Sequence, residues 1–453
     1  MPFQTFNPYT ERLVESFDSH SEAQVTEALT QAGRAFRDWK ATSVGHRQAL
    51  MHRCAAVLSE RAEEYGRLIT LEMGKTLKEA VAEVRKCAGA CTYYAEHAEA
   101  FLRDRPVPTE AARSFITYEP LGAVLAIMPW NFPFWQVFRF ACPALVAGNV
   151  GLLKHAPNVP QCALAIESTF REAGFPVGVF TNLFVETEGV PAIIAHPTVR
   201  AVTLTGSETA GSSVAAIAGR YLKKAVMELG GSDPFVVLAD ADLERATRMA
   251  AQTRMMNAGQ SCISAKRFIV VADVAEAFVR GLQTHLSAMK GGDPFAPDTD
   301  YGPLARRDLA DHLRDQVQRS VECGARIAYQ GDCPTTGFFF PPTILTDVRP
   351  GMAAYEEELF GPVATVLVVK DADEAVTVAN DTRYGLGASV WTRDTEAGER
   401  LARQLESGCA FINEIVKSDP RLPFGGVKQS GYGRELSEVG LHEFVNIRTV
   451  WAN

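Results

Sequence analysis

The 453-residue chain has no G-x-x-x-x-G-K-[ST] loop, no G-x-G-x-x-G opening a helix, no H-E-x-x-H and no C-x-x-C. Phosphoryl transfer on a P-loop and the common zinc sites therefore have no sequence support, and no metal is expected. A long basic run is also missing, and 45 Lys and Arg against 54 Asp and Glu give a net charge of -9. That balance argues against a nucleic-acid or anionic-membrane partner. Residues 1–13 carry neither the basic start nor the apolar stretch of a secretory signal, so a cytoplasmic protein is expected. There is no internal repeat, low-complexity tract or Pro-rich linker. The nine cysteines are odd in number and spread from Cys54 to Cys409, which predicts free thiols rather than a disulfide frame.

What is present is the composition of a soluble globular protein, 47% hydrophobic and 22% charged, at a length that predicts two or three compact units. From Leu121 to Leu153 the only charged side chain is Arg139. Pro129, Asn131, Pro133 and Pro143 punctuate this run, and Gln136 and Arg139 sit inside it. It reads as a strand, a turn and a buried helix, not a membrane span.

Apolar residues recur every three or four positions over 22–39, 46–73 and 77–101, so the first hundred residues read as amphipathic helices, with Gly74 ending one of them. Cys87 and Cys91 share a helical face and read as core. Strands then alternate with helices: strands at 114–118, 122–128, 149–154, 179–185, 201–205 and 224–229, helices at 159–173, 190–195 and 208–221. After Asp240 the pattern resumes with helices at 243–257 and 274–289 and strands at 267–271, 326–329, 364–369 and 388–391. This predicts two doubly wound α/β units with parallel sheets, and residues 443–451 alternate like one further strand.

Four short segments carry candidate chemistry. Gly206 and Ser207 follow a strand and open a helix, where backbone N–H groups can hold a phosphate. Cys262 lies in a Gly-bearing loop between a helix and a strand. Glu228 ends an apolar strand just before Gly230 and Gly231. Asn131 sits in a Pro-rich apolar turn. Each has a bland alternative: a helix cap, a small core hydrophobe, a solvated strand end, a turn former. Together they supply a thiol nucleophile, a carboxylate base and an oxyanion donor, the set that acyl chemistry at a carbonyl needs.

The ordered motifs Pro129-Trp-Asn-Phe-Pro133, Leu152-Leu-Lys154, Leu204-Thr-Gly-Ser207, Met227-Glu-Leu-Gly-Gly231, Gly259-Gln-Ser-Cys262, Glu358-Leu-Phe-Gly-Pro362, Pro423-Phe-Gly-Gly426 and Ser430-Gly-Tyr-Gly-Arg434 resemble the aldehyde dehydrogenase superfamily over nearly the whole chain. Within it, Asn131-Phe-Pro-Phe-Trp-Gln136, Lys154-His-Ala-Pro-Asn-Val159 and Gly230-Gly-Ser-Asp-Pro-Phe235 resemble bacterial succinate-semialdehyde dehydrogenases. The resemblance implies a cofactor-binding domain (1–102 and 120–228), a catalytic domain (229–439) and a small β oligomerisation flap (103–119 and 440–453), in a homodimer or homotetramer. It implies Cys262 as nucleophile, Asn131 as oxyanion donor and Glu228 as the base that activates water. Trp130, Lys154, Pro157, Gly206, Ser207, Glu358 and Phe360 would hold NAD or NADP. The implied reaction is NAD(P)-dependent oxidation of an aldehyde to its acid, with succinic semialdehyde as substrate. A coenzyme-A-acylating enzyme, a broad-specificity aldehyde dehydrogenase and a non-enzymatic protein of the same fold are the alternatives.

Two positions sharpen the expectation. Arg139 lies four residues after Trp135, so on a helix the two share a face. A buried guanidinium needs a counter-charge, either a carboxylate elsewhere in the fold or, with Ser418, the distal carboxylate of a semialdehyde acid. By the same resemblance, Pro157 stands where relatives in the family can carry a glutamate that repels a 2′-phosphate, with Lys154 and His155 nearby as positive or polar groups. It therefore predicts use of both NAD and NADP, the alternative being that it merely starts the next helix. Glu414 and Lys417 depart from the family pattern near the substrate entrance, and Ser264 offers no second cysteine beside Cys262.

Overall fold

The computed structural model describes residues 3–453. Two large sheets organise it. A six-stranded sheet runs in the spatial order Gly431–Tyr432, Lys224–Glu228, Val199–Thr205, Ala123–Met128, Val150–His155 and Phe180–Asn182. All its neighbours are parallel except Gly431–Tyr432, which pairs antiparallel with Lys224–Glu228. A seven-stranded sheet runs Arg326–Gln330, Thr343–Thr346, Val363–Val369, Arg267–Val271, Pro234–Val237, Gly387–Trp391 and Cys409–Ile412, and only its first pair is antiparallel.

The central strands Pro234–Val237 and Arg267–Val271 of the second sheet are buried at every position because both faces are covered. Val236, Ile269 and Leu367 pack into one core, while Phe235, Val237, Phe268 and Val270 pack into another on the opposite face. The run from Leu121 resolves as expected into the strand Ala123–Met128, a Pro-rich turn and the helix Trp135–Val146, every residue of which is buried. Among the described residues no helix is long and apolar enough to cross a membrane.

A third sheet joins Val445–Ala452, Arg113–Pro120 and Arg105–Pro106, so the segments read as a flap do form one sheet. Cys87 and Cys91 are core residues of the helix Leu77–Phe101.

Several expectations need correction. The first hundred residues are not all helical: Phe3–Asn7 and Arg12–Phe17 form an antiparallel hairpin. Thr5 in that hairpin donates to the buried Glu72, a long-range anchor that a local period cannot report. The helix read over 46–73 is two, Val44–Glu60 and Ala62–Met73, broken at Arg61, while Gly74 ends the second with φ +84°. The strand read over 179–185 shrinks to Phe180–Asn182. The helix Arg307–Glu322 and the strands Pro234–Val237, Thr343–Thr346 and Cys409–Ile412 were not expected.

Candidate active site

Cys262 lies between the helix Leu243–Met255 and the strand Arg267–Val271. The loop before it turns through three successive left-handed residues, Asn257 (φ +55°), Ala258 (+52°) and Gly259 (+76°). Two of these bear side chains, and each costs about 1–2 kcal/mol in that conformation. A β-carbon at Gly259 would lie 2.3 Å from the carbonyl carbon of Gly361, so only glycine fits. Hydrogen bonds hold the loop against this strain. Asn257 N–H donates to Glu79 (2.8 Å), its Nδ2 donates to the carbonyls of Asn131 (2.8 Å) and Gln260 (3.0 Å), and Arg254 donates to the carbonyl of Gly259 (2.6 Å).

Lys266, which sequence reasoning missed, completes the clamp. Its buried ammonium donates to the carbonyls of Ser261 (2.9 Å), Cys262 (2.9 Å) and Ser264 (3.2 Å) and pairs with Glu358 at 3.1 Å. Ser264 is tied to the Thr253 carbonyl. The backbone around Cys262 is thus fixed from within. Burial pushes the Cys262 thiol up to about 12, against the pull of Arg139 and Lys266. At neutral pH it is a thiol, and it needs a base to become a nucleophile.

Glu228 ends the strand Lys224–Glu228 and is buried, with neither carboxylate oxygen hydrogen-bonded to a described residue. Burial first, then the nearby Glu435, hold its proton affinity well above the usual carboxylate range, while Arg139 and Arg434 oppose the shift. That is the electrostatic profile of a proton acceptor. Gly425 makes room for it, since a β-carbon there would sit 2.6 Å from Glu228 Oε1. Glu435 is a second residue the sequence reading missed. It follows the Gly-Tyr-Gly-Arg segment that pairs beside Glu228, and only the register Gly431 to Glu228 brings it close.

Asn131 sits in the turn after Ala123–Met128. Its Nδ2 donates to the Gln260 carbonyl at 3.0 Å, and its Oδ1 accepts from Gln136 Nε2 at 3.0 Å. The amide is therefore locked in orientation, and one of its two protons remains for another acceptor.

Two cavities meet at Cys262. One, of about 190 Å³, is lined by Trp130, Asn131, Gly206, Ser207, Glu358 and Phe360 together with Cys262. The other, of about 260 Å³, is lined by Trp135, Arg139, Ser418 and Phe424, again with Cys262. In the first, Ser207 caps the helix Glu208–Arg220 by accepting from Ala210 N–H. Glu358 Oε1 accepts from Gly231 N–H at 3.1 Å, and Trp130 meets Phe360 edge to face.

Lys154 and Pro157 do not line the cavity beside Cys262 and lie further along the same edge of the sheet. Lys154 is half-buried and has no ion-pair partner among the described residues; burial lowers its proton affinity and Glu188 opposes this. Pro157 accepts from Gln4 N–H at 3.0 Å, and the side-chain amide atoms of Asn158 beside it are buried without a partner. An unpaired ammonium, an orphan amide and a capped helix start fit the phosphates and hydroxyls of a dinucleotide.

Two readings are corrected here. His155 does not join Lys154, because successive strand residues face opposite ways. It is buried, bonded to the Pro133 carbonyl and to Ala156 N–H, and burial lowers its pKa to about 4, so it is neutral. Nor does Pro157 start a helix, since Pro160 does.

On the other side, Trp135 and Arg139 share a helix face as expected. The carboxylate elsewhere in the fold exists: Arg139 forms an ion pair with Glu435, donates to Thr205 Oγ1 and lies over the Phe424 ring, while still lining the cavity. Ser418 Oγ accepts from Trp135 Nε1 at 2.9 Å. Lys417 pairs with Glu414, so the two departures from the family pattern answer each other. The thiol and the fixed amide share one cavity wall, while Glu228 lines neither cavity and lies buried beside Glu435, within the field of Arg139, which also acts on Cys262. A thiol, a fixed amide and a desolvated carboxyl suit covalent catalysis at a carbonyl.

Comparison with known proteins agrees with this chemistry. The model of the aldehyde dehydrogenase family matches residues 1–450. The chain is 50% identical over 452 residues to a protein of Synechocystis described as a probable succinate-semialdehyde dehydrogenase [NADP(+)], each chain being covered in full. It is 49% identical over 457 residues, again with both chains covered, to succinate-semialdehyde dehydrogenase [NADP(+)] 1 of Mycobacterium tuberculosis. Its fold superposes on the crystal structure of succinic semialdehyde dehydrogenase from Streptococcus pyogenes in complex with NADP+, with a TM-score of 0.97, 37% identity and 99% of each chain covered. The chain belongs to the aldehyde dehydrogenase family, and it is an NAD(P)-dependent enzyme of aldehyde oxidation.

Proposed function

We propose that the protein oxidises succinic semialdehyde to succinate through a thioester on Cys262, and that it accepts both NAD and NADP. The observation that carries this reading is the position of Cys262 at the junction of two cavities, one lined by Trp130, Ser207, Glu358 and Phe360, the other by Trp135, Arg139 and Ser418.

The steps follow from the side chains. Glu228, desolvated and free of hydrogen bonds, takes the proton of the Cys262 thiol. The sulfur adds to the aldehyde carbon, and the spare proton of Asn131 Nδ2, with the N–H of Cys262, holds the oxyanion. A nicotinamide held by Trp130, Glu358 and Phe360 would supply the oxidation as hydride acceptor, and an acyl group would then remain on Cys262. Glu228 gives up the thiol proton to solvent and then draws a proton from water as the water adds to the acyl carbon. The carbon–sulfur bond breaks, the carboxylic acid leaves, and the proton on Glu228 returns to the sulfur to restore the thiol.

Lys154, Gly206 and Ser207 serve the adenosine and phosphate end of the cofactor, and Glu358, Phe360 and Trp130 the nicotinamide end. Trp135, Arg139 and Ser418 shape the substrate side for an aldehyde that carries a carboxylate. Residues 1–102 and 120–228 act as the cofactor domain and 229–439 as the catalytic domain. The flap, with Ile447 and Trp451 exposed on it, offers an apolar face for a homodimer or homotetramer in the cytoplasm.

A panel of aldehydes assayed with NAD and with NADP, each with and without coenzyme A, tests the reading. Highest kcat/KM for succinic semialdehyde with release of free succinate supports it. Acyl-coenzyme A as product, or preference for a neutral aldehyde, contradicts it.

A further inference from the structure

Four cationic side chains line the substrate-side cavity: Lys75, Lys86, Arg139 and Lys417. Three of them are matched. Lys75 pairs with Glu83 at 2.6 Å, Arg139 with Glu435, and Lys417 with Glu414 at 3.4 Å. Lys86 has no carboxylate within ion-pair distance among the described residues; its Nζ donates to Ser418 Oγ at 2.8 Å and lies 4.1 Å from the centre of the Trp135 ring.

The helix Leu77–Phe101 places it there. Glu79, Ala82, Glu83 and Lys86, spaced i, i+3, i+4 and i+7, form the stripe of that helix that faces the cavity. Glu79 and Glu83 on the stripe are already engaged. Glu79 accepts from Asn257 N–H, and Glu83 accepts the N–H groups of Phe134 and Trp135 at 2.9 and 3.0 Å besides pairing with Lys75.

The hydroxyl of Ser418 carries the argument one step further. Its oxygen accepts from both Lys86 Nζ and Trp135 Nε1. With both lone pairs used, its own proton has no acceptor among the described residues. An uncompensated ammonium and a hydroxyl proton without an acceptor therefore stand side by side on the wall of the cavity that holds Cys262. A carboxylate satisfies both at once, one oxygen for each donor.

We infer that Lys86, together with the Ser418 hydroxyl, holds the distal carboxylate of the substrate and supplies the free positive charge that Arg139, matched by Glu435, does not. The inference deepens the function proposed above and rests on its carboxylate-bearing aldehyde.

The same charge gives a second readout. Burial lowers the Lys86 pKa to about 8, helped by Arg139 on the helix Trp135–Val146. Cys87 and Glu83 on its own helix and Asp419 on the neighbouring loop oppose the shift; the other charges on that loop are Lys417, paired with Glu414, and Arg421, paired with Asp419. Lys86 is charged below that pH and neutral above it. Attraction for a carboxylate therefore fades as pH rises through 8, whereas a neutral aldehyde is indifferent to it. The ratio of kcat/KM for succinic semialdehyde to that for butanal cancels the ionisations of Cys262 and Glu228, which act on both substrates.

The test is to measure that ratio for wild type, Lys86→Met and Lys86→Arg on either side of pH 8. In Lys86→Met the ratio should fall by roughly 10- to 100-fold, through KM, with kcat for butanal within about twofold of wild type. In wild type the ratio should decline as pH passes 8, and in Lys86→Arg it should stay high and flat, because guanidinium keeps its charge. A wild-type preference for succinic semialdehyde that survives in Lys86→Met overturns the role of Lys86 and leaves the substrate reading standing. Equal loss for both aldehydes also overturns it. A wild type without preference overturns the carboxylate-bearing substrate and this inference with it.

Discussion

The two cavities that meet at Cys262 are made by different means. The cofactor-side wall comes from the ends of strands and the turns that follow them: Pro129 to Asn131, Thr205 to Ser207, and Leu229 with Gly230. Each piece is a few consecutive residues, and backbone groups and glycines do much of the shaping. On the substrate side the wall is a set of long side chains from the helix Leu77–Phe101, the helix Trp135–Val146, the loop 415–418 and Phe424. Lys75 and Lys417 are matched close by in sequence, but what Arg139 and Lys86 can do depends on partners far along the chain, Glu435 and Ser418. A binding wall built from backbone turns is a local property of sequence. One built from matched charges belongs to the fold as a whole.

The largest effect expected is at the shared point. Cys262→Ala should lower aldehyde oxidation by roughly 10⁴-fold or more while leaving NADP affinity, followed by fluorescence titration, close to wild type. Loss of cofactor binding as well would mean that the two walls are not separable at Cys262.

Next comes the substrate-side ion pair. Arg139→Ala leaves Glu435 buried without its partner, at a cost of about 3–5 kcal/mol to stability, which denaturant titration reads. Arg139 also opposes the raised proton affinities of Glu228 and Glu435. Its removal should therefore move the acid limb of the pH–rate profile to higher pH for every aldehyde, besides raising KM for succinic semialdehyde. A change confined to KM, with stability and pH profile untouched, would show that the pairing with Glu435 carries no weight.

The smallest effect lies on the cofactor side. Pro157→Glu should reduce kcat/KM for NADP by roughly tenfold or more through like-charge repulsion of the 2′-phosphate, with NAD use retained. An unchanged NADP to NAD ratio would place the discrimination elsewhere.

This contrast also explains what could be read in advance. The alternation of strands and helices over 114–229 was legible because each element carries its own apolar period, and the buried helix behind Asn131 was legible from its prolines. Cys262, Glu228 and Asn131 were legible as types in local settings, and the structure sets Cys262 and Asn131 on one cavity wall, with Glu228 buried off that wall and, like Cys262, within the field of Arg139. The hairpin at Phe3–Phe17 was not legible, because its anchor to Glu72 is 67 residues away. Lys266 and Lys86 look like ordinary charged residues in the sequence. Only their surroundings, three carbonyls for one and an uncompensated cavity wall for the other, single them out. His155 shows the reverse: it sits next to Lys154 in sequence, yet the pleat sends it into the core.

The central claim is that Cys262 carries an acyl group which Glu228 then hydrolyses. The most direct measurement is rapid mixing of Glu228→Gln with succinic semialdehyde and NADP, followed by peptide mass spectrometry of the quenched protein. The account predicts a burst of one reduced cofactor per site, no steady turnover, and a succinyl group on the peptide that holds Cys262. Linear turnover without an adduct, or an adduct on another cysteine such as Cys409, would contradict it.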